Sequence, residues 1–154
     1  MNIFYLDENL KLNAQYYMDK HIVKMPLESA QLLCSTLYFT GQEKNSPYKL
    51  THKNHPCSIW CRKSLSNWLF LKELALELCK EYTYRYGKIH KCQGVIENLP
   101  LPNLEDKGLT PLPNCMDKEY IICDDIIINY RNYYVNGKTN IAKWSKRDKP
   151  SWYK

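Results

Sequence analysis

The stretch from Cys57 to Tyr86 constrains this chain most. Trp60, Leu65, Trp68, Leu69, Leu71, Ala75, Leu78, Cys79 and Tyr82 recur there at three- and four-residue steps, the spacing that brings side chains to one side of an α-helix. The arc they cover is wide and leaves only a narrow polar line of Glu73, Glu77, Lys80 and Tyr84. A helix of that kind belongs at the centre of a fold. Gly87 stands where a left-handed C-cap would end it.

Two more helices are expected around it. From Asn13 to about Thr40, Ile22, Met25, Ser29, Leu32 and Leu33 share one side, while His21, Lys24, Glu28 and Gln31 share the other. Pro26 lies inside this stretch, and an interior proline costs ~3 kcal/mol, so a kink or a fresh helix start is expected there. From Asp117 to Val135, Ile122, Cys123, Ile126, Ile127, Tyr130, Tyr133 and Tyr134 make an apolar stripe, closed by Asn136-Gly137. Met1–Asp7 reads as a short strand or packed coil. Gly41–Pro56 is a polar loop. Lys88–Cys115, with Gly94, Pro100, Pro102, Gly108, Pro111 and Pro113, is a long one, of a length that is usually functional. No repeat or linker divides the 154 residues. The reading is therefore one compact all-α domain over 1–154, with three main helices, long connecting loops and a basic tail over 138–154.

The seven cysteines are an odd set without regular spacing, and most fall inside apolar helical patterns, as free thiols do. Met1–Leu10 carries Asp7 and Glu8 and lacks the apolar core of a leader. No apolar run reaches the ~18 residues of a membrane span. These features predict a cytoplasmic protein with reduced thiols and no membrane partner. Abundant Asn, Lys, Ile and Tyr point to an AT-rich, phage or viral genome, and so to a host cytoplasm.

The formal charge is +6, and its distribution matters more than its size. From 138 to 154, Lys138, Lys143, Lys146, Arg147, Lys149 and Lys154 face only Asp148. Lys49, Lys53, Arg62 and Lys63 form a second basic group, and Lys80, Arg85, Lys88 and Lys91 a third. Cations interleaved with rings suit a phosphate-bearing, partly unstacked partner, either DNA or a nucleotide. In the tail, Trp152 and Tyr153 beside lysines could pack on the body or stack on bases.

Two constellations carry possible chemistry. Asp19-Lys20-His21 is followed by Lys24 and Glu28. His21 and Glu28 lie two turns apart, roughly 10 Å along the axis, and so could flank a substrate. An imidazole, an ammonium and a carboxylate in one groove can move protons and stabilise charge. The alternative is a solvated face held by a Lys24–Glu28 pair. The second constellation is His52-Lys53-Asn54-His55-Pro56-Cys57 with Cys61. Its ligand types would suit zinc, but the spacing matches no strong zinc pattern, and Cys57 and Cys61 fit the buried side of the helix beginning there. No stoichiometric metal is expected. The loop is read instead as a phosphate or polar-ligand contact. No glycine-rich phosphate loop, nucleophile elbow or dinucleotide fingerprint occurs, which removes NTPase, serine hydrolase and Rossmann readings and leaves no cofactor to expect.

The order of elements resembles the pyrimidine-dimer DNA glycosylases of the phage endonuclease V type. Asp19-x-His21, six residues, then Glu28 is similar to the first-helix pattern that ends in that family's catalytic glutamate. Asn54-His55-Pro56, Phe70-Leu71-Lys72 and Tyr86-Gly87 resemble its loop and middle helix, and Lys149-Pro150-Ser151-Trp152-Tyr153-Lys154 its C-terminal Pro-Thr-Trp-Tyr-Lys. The resemblance implies a compact helical domain with a basic concave face. It further implies attack on the sugar C1′ by an N-terminal amine, then strand scission by β-elimination, with Glu28 stabilising the sugar cation and moving protons. That family carries a small residue at its N-terminus. Here Asn2 is bulky, so Met1 is expected to be retained and to supply the amine. Leu27 stands where the family has an arginine, and the segment before Asp19 is longer.

The expected function is a DNA glycosylase with abasic-site lyase activity on modified or damaged pyrimidines. Glu28, His21 and Met1 would be catalytic. Asp19, Lys24, His52, Lys53, Asn54, His55, Arg62, Lys146, Arg147, Lys149, Trp152 and Tyr153 would contact the substrate. Two rival readings are a non-catalytic binder of nucleic acid or nucleotides, and a phosphodiesterase or nuclease using His21, His52, His55 and Glu28.

Overall fold

The long middle helix sits at the centre, as its apolar arc requires, but it is interrupted. In the computed structural model, which describes residues 1–154, α1 spans Leu10–Tyr16, α2 Asp19–Leu37, α3 Pro56–Cys61, α4 Leu65–Tyr86, α5 Gln93–Glu97 and α6 Ile126–Gly137. There is no strand, so the fold is all-α, and Met1–Asp7 is packed coil. The segment expected to be one helix from Cys57 divides between α3 and α4. Asp106, far along the chain, accepts from the Ser66 N–H at 3.2 Å and from the Ser64 and Ser66 hydroxyls, and so caps α4 from outside. No local sequence signal announces that cap. Gly87 closes α4 in the left-handed conformation (φ 69°), donating to the Thr83 carbonyl.

α2 lies along α4. Ile22, Leu32, Leu33 and Leu37 meet Trp68, Leu71, Leu74 and Leu78 in the dry core, and the Trp68 indole N–H donates to the Leu33 carbonyl at 3.1 Å. No fresh helix starts at Pro26, which lies inside α2. The chain instead breaks earlier, at Tyr17–Met18, where buried tertiary bonds hold both residues extended. The Tyr17 hydroxyl donates to the Phe4 carbonyl at 2.7 Å, and the Asp19 N–H to the Lys143 carbonyl at 2.8 Å. His90 Nε2 lies 2.9 Å from the Val23 carbonyl, in the turn that Pro26 disturbs.

The last helix starts later than its apolar stripe suggests. Asp125 accepts from the Ile127 and Ile128 N–H groups and so begins α6. Asn129 folds the preceding residues back by accepting from the Ile122 and Cys123 N–H groups, which leaves those two side chains exposed. At the other end of α6, a Cβ on Gly137 would lie 2.6 Å from the Tyr133 ring, so the ring packs against a residue without a side chain.

A buried ionic network ties the tail to the core. Arg85 reaches Asp19 at 3.0 Å, Glu81 at 2.8 Å and the Gln15 carbonyl at 2.9 Å, while Arg147 pairs with Glu81 at 2.9 Å. Ser145 donates to Asp19 through both its N–H and its hydroxyl. Burial alone would raise the Asp19 pKa, but the Ser145 bonds and Arg85 outweigh it and hold it below the ordinary value. All seven cysteines are unpaired. No helix is long and apolar enough to cross a membrane.

Candidate active site

The coil at the start of the chain runs across the core and delivers Met1 to α2. Asn2 anchors it, with its Nδ2 donating to the Cys115 carbonyl at 2.7 Å and its Oδ1 accepting from the Tyr130 hydroxyl at 2.8 Å. Phe4 stacks on His21 with ring centroids 4.2 Å apart. The Met1 amine consequently sits 3.2 Å from one Glu28 oxygen, and Lys24 Nζ lies 3.6 Å from the other. The Glu28 side chain is 8 % exposed, and neither of its oxygens accepts a directed hydrogen bond. A nearly buried carboxylate paired with two ammonium groups and given no directed hydrogen bond calls for a functional explanation.

A cavity of about 360 Å³ opens over this pair. Lys20, Lys24 and Lys138 bring cations to it, and His21, Tyr133 and Cys115 contribute further wall. On the other side of Glu28 a smaller cavity of about 280 Å³ is lined by Met1, Leu27, Gln31 and His52. His52 adopts a left-handed backbone (φ 50°), uncommon for a residue with a Cβ, and its Nδ1 is 2.7 Å from the Thr51 hydroxyl. His55 caps α3 by accepting the Cys57 N–H at 3.1 Å. Its pKa falls through burial first, then the Met1 ammonium and His52, with Glu28 opposing.

The structure thus brings together Met1, His21, Lys24 and Glu28, with His52 and His55 beside them. His21 is no solvated member of a polar face. Its Nδ1 is 2.7 Å from the Tyr134 hydroxyl, and burial, aided by Lys138 and Lys24, lowers its pKa to about 3. It is a neutral wall of the cavity.

Other expected contacts lie elsewhere. Asp19 is committed to Arg85 and Ser145, and Arg147 to Glu81, so both are structural. Arg62 donates to the Lys53 carbonyl at 2.7 Å and covers the Phe39 ring. Lys53, Asn54, Lys146 and Lys149 do not line either cavity. Trp152 packs edge-on against Tyr16, and Tyr153 against Trp144, so the tail's rings belong to the body of the protein.

Sequence reasoning missed Asn2, Tyr130 and Cys115. The first two act through one long-range hydrogen bond, and Cys115 ends a loop without periodicity. Cys115 Sγ lies 3.5 Å from Cys57 Sγ. The Cys57 contact, against the cost of burial and with help from the Met1 ammonium, holds the Cys115 thiol below its ordinary pKa. Cys61 does not join them. It is fully buried, and it takes a contact from the Thr36 hydroxyl.

No family model matches the chain, and no curated protein or solved structure matches it.

Proposed function

We propose that the protein is a DNA glycosylase with abasic-site lyase activity, in which the Met1 amine is the nucleophile and Glu28 its proton acceptor. One observation carries the reading: the amine lies 3.2 Å from the nearly buried Glu28 carboxylate, at a cavity edged by three lysines. The resemblance over Asp19–Glu28 and the C-terminal segment supports it.

The reaction follows from that geometry. Glu28 first takes a proton from the Met1 ammonium. The freed nitrogen bonds to the sugar C1′ as the bond from C1′ to the base breaks, and the base leaves with the electron pair and that proton. The nitrogen's own proton passes to Glu28. Glu28 returns it to the ring oxygen as the bond from C1′ to that oxygen breaks, which gives an imine, as amines form with carbonyl-level carbons. Removal of a C2′ proton then expels the 3′ phosphate. An α-amine suits the first step better than a lysine, because α-amines lose their proton at lower pH. Lys20, Lys24 and Lys138 would hold phosphates on either side of the extruded nucleotide.

The phosphodiesterase reading is less favoured, since burial lowers the His21 pKa to about 3 and keeps it from serving as the general acid, which would leave that role to His52 or His55.

Borohydride in the presence of abasic or lesion-bearing DNA tests the reading. The expected result is a covalent protein–DNA adduct that peptide mapping places on the Met1 amine. A few residues added before Met1 should abolish the adduct while DNA binding persists. Tight binding with no adduct would leave a binding module in its place, and an adduct on Lys24 would move the nucleophile.

A further inference from the structure

We propose that His55, Cys57 and Cys115 form a binding site for a zinc-like divalent ion. Their ligand atoms all lie within 4.8 Å of one another, and the two sulfurs are 3.5 Å apart. Tetrahedral zinc with bonds of about 2.3 Å to sulfur holds two thiolates about 3.8 Å apart, so closure needs only a small adjustment. Two thiolates and an imidazole are a donor set that borderline-soft zinc accepts and that hard magnesium or calcium does not.

Helix periodicity does not account for this meeting. Cys57 is in α3 and Cys115 ends the loop after α5, yet both converge on the residue that caps α3. On binding, His55 would exchange the Cys57 N–H that its Nδ1 accepts for the ion, since a neutral imidazole has one lone pair in its plane. Cys115 is held from behind, with its N–H donated to the Tyr130 hydroxyl at 3.2 Å and its carbonyl accepting from Asn2 Nδ2 at 2.7 Å. Such outer contacts are what orient ligands before a metal arrives. The set differs from the one whose spacing argued against zinc, because Cys115 replaces Cys61 and His52. Three protein ligands leave a fourth position open, and Cys115 borders the same cavity as Met1 and Glu28. The inference is independent of the glycosylase reading, and its test measures no activity.

Full-length protein, reduced and stripped with a chelator, would be titrated anaerobically with cobalt(II). A thiolate-to-cobalt charge-transfer band and tetrahedral visible bands should saturate at one equivalent, and one equivalent of zinc should bleach them. Cys115→Ser and His55→Gln should each weaken cobalt binding by at least about tenfold while the helical circular dichroism is kept. Cys123→Ser, at an exposed position outside the set, should change nothing. The proposal is overturned if no sulfur-to-cobalt band appears, if binding is unchanged in Cys115→Ser, or if a thiol count on unreduced protein shows Cys57 and Cys115 joined as a disulfide. Should a variant not fold, the band on the unsubstituted protein still decides whether thiolates bind the ion.

Discussion

The Tyr130 hydroxyl donates to Asn2 Oδ1 at 2.8 Å, and through that bond α6 fixes where the chain's first residue lies. The same hydroxyl accepts the Cys115 N–H and lies 2.9 Å from the Pro113 carbonyl, so the first residues and the 113–115 stretch meet on one oxygen of α6. A small side chain at position 2 could not reach it. Asn2→Ala should cost about 1–3 kcal/mol from the unpaired groups it leaves. In a chain of this size that lowers Tm by about 2–4 °C per kcal/mol, readable by calorimetry. Borohydride trapping should fall further than stability does, because the amine loses its placement.

Glu28→Gln keeps the shape of the side chain and removes its charge. Turnover on abasic DNA should drop by about 10²–10⁴-fold, the usual contribution of a positioned proton acceptor. Binding in a gel-shift assay should remain near that of the unsubstituted protein. An unfolded variant would make Glu28 a structural counter-ion to Met1 and Lys24.

His21 makes stability depend on mild acid. Burial, reinforced by Lys138 and Lys24, lowers its pKa to about 3, whereas in the unfolded chain it titrates near 6.5. Between those values the unfolded state binds more protons, so stability declines as pH falls from 6.5. Urea midpoints measured from about pH 7 to about pH 5 should show that decline, and His21→Gln should flatten it.

Salt dependence distinguishes the cavity rim from the tail. Replacing Lys20, Lys24 and Lys138 by Gln should reduce the logarithmic salt slope of DNA binding by about 0.9 for each phosphate that is no longer neutralised. Arg147→Gln should change it little, since that guanidinium already pairs with Glu81. An unchanged slope in the triple variant would take the DNA off this face.

Much of the fold was legible because helix period and end signals are local. The apolar arc of α4, its Gly87 cap and the end of α6 at Gly137 could all be read in place. The helix starts were not, because Asp106 and Lys143 set two of them from far along the chain. At the site, Glu28 and Lys24 were readable as a helical pair. That Arg85 is buried was hidden, since a cation in a charged stretch looks solvated until Asp19 and Glu81 are found around it.

The Asn2 anchorage also bears on how the protein is made. The first residues leave the ribosome before Cys115, Tyr130 and Ser145 exist, yet Met1 and α2 depend on bonds to those later positions. During synthesis the amine therefore has no fixed companion, and a half-finished chain carries no assembled centre. Met1 and α2 thus take their final places only once those later positions have been made.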